Sequence, residues 1–202
     1  MKNPFKKLFK SEEAQFITVV SGLPRSGTSM MMKMLEAGGI LPIIDNIRTA
    51  DEDNPKGYYE FERVKAIDKG DTEWVADAQG KSVKVISALL KHLPSDHQYR
   101  VIFIRRHMDE ILASQRKMLL RRGEDPDKMD DAEMALLFEK HVSQVETWLH
   151  SQPNMKVLYV HYSNVLTDPE LYATQVNNFL GGTLDIHKMA EVVDPDLYRN
   201  RS

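Results

Sequence analysis

Two short stretches hold the residues whose types and spacing could do chemistry. The first is Gly22-Leu23-Pro24-Arg25-Ser26-Gly27-Thr28-Ser29. Glycine lets a backbone come close to a ligand, Thr28 and Ser29 offer hydroxyl donors, and Arg25 offers a planar, permanently charged fork. A segment of this kind at the start of a helix points several unbonded N–H groups at one spot, where the helix dipole adds partial positive charge. The chemistry implied is the cradling of a phosphate. A turn that merely needs glycine accounts for Gly22 and Gly27 but not for Arg25, Ser26, Thr28 and Ser29 together. The second stretch is Arg106-His107-Met108-Asp109-Glu110-Ile111-Leu112-Ala113-Ser114, in which a serine follows an arginine by eight positions. Arg106 stands just past an apolar run, where the end of a parallel strand meets the ligand edge of a sheet. The plainer alternative pairs Arg106 with Asp109 or Glu110 and leaves Ser114 on a helix surface. Arg105 competes with Arg106, but adjacent strand residues face opposite ways.

The elements that must position these residues alternate. Phe16–Ser21, Ser82–Ser87, Arg100–Arg105 and Met155–Val160 are short apolar runs rich in β-branched residues, the pattern of strands buried on both faces. Helical spacing marks Met30–Glu36, His107–Arg121, Asp130–Ser151 and Pro169–Leu180. Asp131 is the expected cap of the third, and Pro169 starts the fourth, with Gly181-Gly182 after it. Strand–helix alternation predicts an α/β fold with a parallel sheet covered on both faces. Residues 1–13 read as a basic arm, 14–202 as one domain, and 41–80 as a lid of loops and short helices beside the site.

Composition narrows the function. The 202 residues carry 27 Lys plus Arg against 30 Asp plus Glu, so no global basic field exists to hold nucleic acid. Zero cysteines exclude disulfides, thiolate metal sites and thiol nucleophiles. The seven histidines lack metal-ligand spacing. No apolar run approaches a membrane span and no secretory leader is evident, so a cytoplasmic address is expected. The phosphate segment nearly matches the P-loop pattern G-x-x-x-x-G-K-[ST], but Thr28 stands where the lysine belongs. No later strand run ends in the aspartate that would hold Mg²⁺, which disfavours a metal-dependent nucleotide hydrolase.

At these residues the sequence resembles the sulfotransferase family, whose fold is P-loop NTPase-like. Leu23–Ser29 resembles the family's 5′-phosphosulfate loop, and Arg106 with Ser114 resembles its 3′-phosphate motif. Asn54–Glu60 resembles N-P-[KR]-G-[YF]-[YF]-E of short bacterial members. The resemblance implies transfer of a sulfuryl group from 3′-phosphoadenylyl sulfate to an acceptor hydroxyl or amine, with no metal. It implies that Pro24, Arg25, Ser26, Gly27, Thr28 and Ser29 hold the 5′-phosphate end. Arg25 would neutralise charge on the leaving phosphate, and Arg106 and Ser114 would hold the 3′-phosphate. The acceptor, a small molecule, glycan or peptide, is not identified.

The general base is less defined. Where cytosolic members place a histidine after a strand lysine, this chain has Ile86 after Lys84. Other branches use a glutamate from the segment after the first helix, which nominates Glu60, with Asp53 and Glu62 behind it. A solvated lid residue is the alternative for Glu60, and His92 reads as a helix-end histidine. The family's late glycine- and lysine-rich phosphate motif is absent, leaving Arg199 or Arg201 as substitutes. Two other functions stay open: a nucleotide or metabolite kinase on the same fold, and a non-catalytic nucleotide-binding protein.

Overall fold

The computed structural model describes residues 16–45, 47 and 57–194. The basic arm, Asp53, the first residues of the Asn54–Glu60 motif, Arg199 and Arg201 lie outside the described residues. Four parallel strands form one sheet: β1 (Ile17–Gly22), β2 (Ser82–Lys84), β3 (Tyr99–Arg105) and β4 (Met155–His161), in the order β2-β1-β3-β4. The helices are α1 (Thr28–Ala37), α2 (Met108–Arg121), α3 (Asp131–His150), α4 (Tyr162–Thr167), α5 (Pro169–Leu180) and α6 (Ile186–Glu191). Short 3₁₀ helices cover Glu62–Lys69, Glu73–Ala78 and Ser87–His92.

Strand β1 is central and buried at all six positions, which is why its sequence is an unbroken apolar and β-branched run rather than an alternation. Its side chains divide between two cores. Ile17 and Val19 join Trp74, Leu90, Phe103 and Leu149 under the 3₁₀ helices and α3. Val20 joins Met31, Met32, Met34, Val176 and Met189 under α1, α5 and α6. The methionines crowded in α1 are therefore core packing, with Met31, Met32 and Met34 fully buried.

The expected strand at Ser82–Ser87 is shorter. It ends at Lys84, and one further bond from Val85 N to Val20 O extends the ladder before the 3₁₀ helix begins at Ser87. The cap of α3 is Asp130 rather than Asp131: the Asp130 carboxylate accepts from Ala132 N at 3.1 Å. One residue decides this, because Asp130 has the extended backbone a cap needs and Asp131 is already helical. Asp168 caps α5 by accepting from Leu171 N at 3.1 Å.

The connection from β1 leads to β2 on one side, and the connection from β3 leads to β4 on the other. The order reverses between β1 and β3. In an open parallel sheet the crevice beyond the carboxyl ends of two such strands is where a ligand binds. Both stretches singled out from sequence begin there: 23–29 leaves β1 and 106–114 leaves β3.

Candidate active site

Gly22 and Gly27 shape the loop after β1. At Gly22, φ is 151°, and an added Cβ would lie 2.6 Å from both Ile104 O and Ser26 Oγ. At Gly27, φ is 104°, and a Cβ would lie 2.3 Å from the Tyr162 ring. Gly27 is also the N-cap of α1 and makes no side-chain cap, and the opening of a helix is where backbone N–H groups can receive an anion. Ser26 is partly withdrawn from that role: its N–H bonds Leu23 O at 3.2 Å. Its hydroxyl is buried without a hydrogen-bond partner among the described residues. The Ser29 hydroxyl donates to Tyr58 O at 3.3 Å, tying the start of α1 to the segment that precedes the first 3₁₀ helix.

Arg25 sits in the left-handed region at φ 68°, a conformation that costs a non-glycine residue about 1 kcal/mol or more. Its side chain reaches across the crevice, where Nε donates to Ser114 Oγ at 2.8 Å. Arg106 locks the same bend from below by donating to Arg25 O at 3.0 Å. Arg106 also donates through Nε to Glu110 at 2.7 Å and lies 4.4 Å above the Tyr162 ring. Arg25, Ser114 and Arg106, separated by up to 89 positions in the chain, thus meet at one point.

The Arg106–Glu110 pair is not a surface bridge. The side chains are 9% and 1% exposed, so the two charges meet with little water around them. Ser114 is also buried, at 4%. Arg105 leaves the site, pairing with Glu146 of α3 at 2.7 Å and lying over Tyr159 at 4.1 Å.

On the β2 side, Lys84 is 10% exposed, donates to Tyr58 O and lies 3.6 Å from the Glu60 carboxylate. Lys65 approaches the same carboxylate at 3.7 Å. Glu62 pairs instead with Lys65 at 2.6 Å. Asp45 joins two parts of the segment between α1 and β2 by accepting from Glu62 N at 2.6 Å; burial acts to raise its pKa, but backbone N–H donors and Lys65 prevail and lower it. His92 closes the 3₁₀ helix Ser87–His92. Among the described residues no group of His, Cys, Asp or Glu could hold a metal ion, and no helix is long and apolar enough to cross a membrane.

Sequence reasoning did not nominate Tyr162 for the site. Its signal was position alone: it directly follows β4 at the carboxyl edge of the sheet. Burial raises the pKa of its phenol, and its ring faces both Gly27 and Arg106. Glu110 was weighed only as a plain ion-pair partner, although it proves to be a buried support of the site.

A family model described as a sulfotransferase domain matches residues 17–198. Among solved structures, one similar chain is the sulfotransferase domain from the curacin biosynthetic pathway, at 15% identity and TM-score 0.55. That match covers 91% of this chain and 79% of the other. Another is a mouse sulfotransferase, SULT7A1, complexed with PAP, at 19% identity and TM-score 0.54. It is matched over 89% of this chain and 62% of its own length. At these identities the two structures establish likeness of fold. A search of curated proteins finds no match.

Proposed function

Because the chain belongs to the sulfotransferase domain family, we propose that it transfers a sulfuryl group from 3′-phosphoadenylyl sulfate to a hydroxyl or amine of an acceptor. The observation that carries this reading is the meeting of Arg25, Ser114 and Arg106 at the β1/β3 crevice, with Arg25 bonded to Ser114 at 2.8 Å. In this reading the N–H groups opening α1 hold the 5′-phosphate, aided by Thr28 and Ser29. Pro24 and Ser26 shape the turn that presents them. Arg25 neutralises the charge that develops on the leaving phosphate as the sulfur–oxygen bond breaks. Arg106 and Ser114 recognise the 3′-phosphate, so ordinary adenylates bind poorly. Glu60, with Lys84 beside it, is the carboxylate proposed to take up the acceptor's proton.

The reaction needs no metal in this scheme. The acceptor is a small molecule, glycan or peptide, and the address is cytoplasmic. Calorimetry with 3′-phosphoadenosine 5′-phosphate, 5′-AMP and ATP with Mg²⁺ tests the donor. The bisphosphate should bind tightest, and at a hundredfold excess over its Kd it should stabilise the fold by about 2.7 kcal/mol. ATP binding with Mg²⁺ in preference to the bisphosphate would refute the proposal and favour a kinase. Arg25→Ala should abolish turnover, and a variant with unchanged transfer would remove its role.

A further inference from the structure

The arm proposed to receive the donor's 3′-phosphate already contains a carboxylate. Glu110 stands between Arg106 and Ser114 in the chain and lies, like Ser114, on the buried face of α2. It accepts from Arg106 Nε at 2.7 Å, and its side chain is 1% exposed. Glu110 and Ser114 are four positions apart on one helix face, which sets their Cβ atoms about 5–6 Å apart. A phosphate seated between Arg106 and Ser114 therefore comes within one helical turn of a buried anion.

An acid at this place is not explained by phosphate binding. A guanidinium grips a phosphate best with its full charge on offer, and a carboxylate on the same group takes part of that charge away. What Glu110 supplies is counter-charge while the site is empty, since Arg106 is only 9% exposed. Its charge is not all that orients the guanidinium. Arg106 Nη1 donates to Arg25 O at 3.0 Å, and the Tyr162 ring lies 4.4 Å from the guanidinium carbon. The field of Glu110 also extends past its own ion pair. Burial above all raises the pKa of the Tyr162 phenol; Arg106 acts to lower it, and Glu110 and Asp194 act to raise it further. Tyr162 is the residue packed against Gly27 at the start of α1. The carboxylate on α2 is thus felt at the phosphate loop.

We propose that Glu110 is a built-in competitor of the donor's 3′-phosphate: it balances Arg106 in the empty protein, opposes the phosphate of a bound nucleotide, and so limits affinity and speeds release of the spent bisphosphate. Donor and product carry the same 3′-phosphate, so both meet the same opposition. A clamp without it would hold product as firmly as donor, and slow product release limits turnover. The acid's two effects have opposite sign, since it stabilises the fold and weakens the ligand. A brace with no part in binding would move stability alone.

This inference rests on the reading of Arg106 and Ser114 as the 3′-phosphate arm, and the test separates the two. Calorimetry with 3′-phosphoadenosine 5′-phosphate and with 5′-AMP is run on wild type, Glu110→Gln and Glu110→Asp, with urea denaturation of each empty protein. Glu110→Gln keeps an acceptor for Arg106 Nε and removes the charge. It should unfold at lower urea than wild type, yet bind the bisphosphate about tenfold more tightly or better, because repulsion between charges is strong where water is scarce. The gain should appear as slower bisphosphate release in stopped-flow displacement. Affinity for 5′-AMP, which lacks the 3′ group, should change by no more than about twofold. Glu110→Asp withdraws the same charge by one methylene. It should show the same selective gain at smaller size, and it carries the test if the glutamine protein does not fold. Bisphosphate affinity that is unchanged or weaker in the folded variant, or 5′-AMP affinity that rises in step with it, would overturn the proposal. A wild type that binds the bisphosphate no better than 5′-AMP would instead overturn the parent reading, and this one with it.

Discussion

At residue scale the site depends on two backbone conformations that its sequence makes possible at different cost. Gly27 adopts φ 104° without penalty, and its missing side chain is what lets Tyr162 close over the loop. Arg25 adopts φ 68° with a Cβ present and is held there by Arg106 on its carbonyl and Ser114 on its side chain. Strain of this kind persists only where surrounding contacts fix it. Gly27→Ala places a Cβ 2.3 Å from an aromatic ring that is itself 6% exposed, so neither group can yield cheaply. The expected result is a loss of about 2–3 kcal/mol in chemical denaturation and loss of bisphosphate binding. A Gly27→Ala protein with wild-type stability and affinity would show that the loop is not held as described. Both glycines and Arg25 were legible as one tight loop at a strand end because their types stand out together. The contact from Arg25 to Ser114 was not legible, since no local pattern encodes a bond across 89 positions.

At element scale, α2 acts as a bracket for β3. Its first turn carries Glu110, which neutralises Arg106, and one turn further on it carries Ser114, which receives Arg25. Helical spacing puts both on one face, and that face is buried. Truncating Arg106 breaks a buried ion pair with a Glu110 carboxylate at 1% exposure, a change that costs about 3–5 kcal/mol. Arg106→Ala therefore confounds folding with ligand recognition. Arg106→Lys keeps a cation for Glu110 and loses the fork that also reaches Arg25 O. Its stability should fall by about 1–2 kcal/mol, the loss of one charge-assisted hydrogen bond. Its KM for the donor should rise more than tenfold with a smaller change in kcat. An unchanged KM would remove Arg106 from donor binding. The long elements were readable from period alone, and α5 carries the bounds expected from Pro169 and the Gly181-Gly182 pair. The six-residue helices α4 and α6 are too short for a hydrophobic period to emerge. Both are fixed by tertiary packing, through Tyr162 and Val165 in one and Met189 in the other.

At the scale of the whole molecule, the strand order sets which parts a ligand can couple. Alternating elements predict a parallel sheet, but no sequence pattern sets β1 between β2 and β3. That order makes the β1/β3 crevice a meeting point of chain segments far apart in sequence. A donor bound there stabilises the ends of β1 and β3, the start of α1 and the first turns of α2. It reaches α5 and α6 only through the core they share with α1. Amide exchange should follow that division, because local opening is suppressed where a ligand bridges the parts that must separate. With saturating 3′-phosphoadenosine 5′-phosphate, amides of residues 23–30 and 106–115 should slow by tenfold or more. Those in the middle of α5 should change only as far as global stability rises. Arg25→Ala should lose the protection in both segments together, since its side chain joins them. Protection confined to 23–30 would mean that the ligand does not reach α2. The Arg106–Ser114 arm would then be a structural brace rather than half of the donor site.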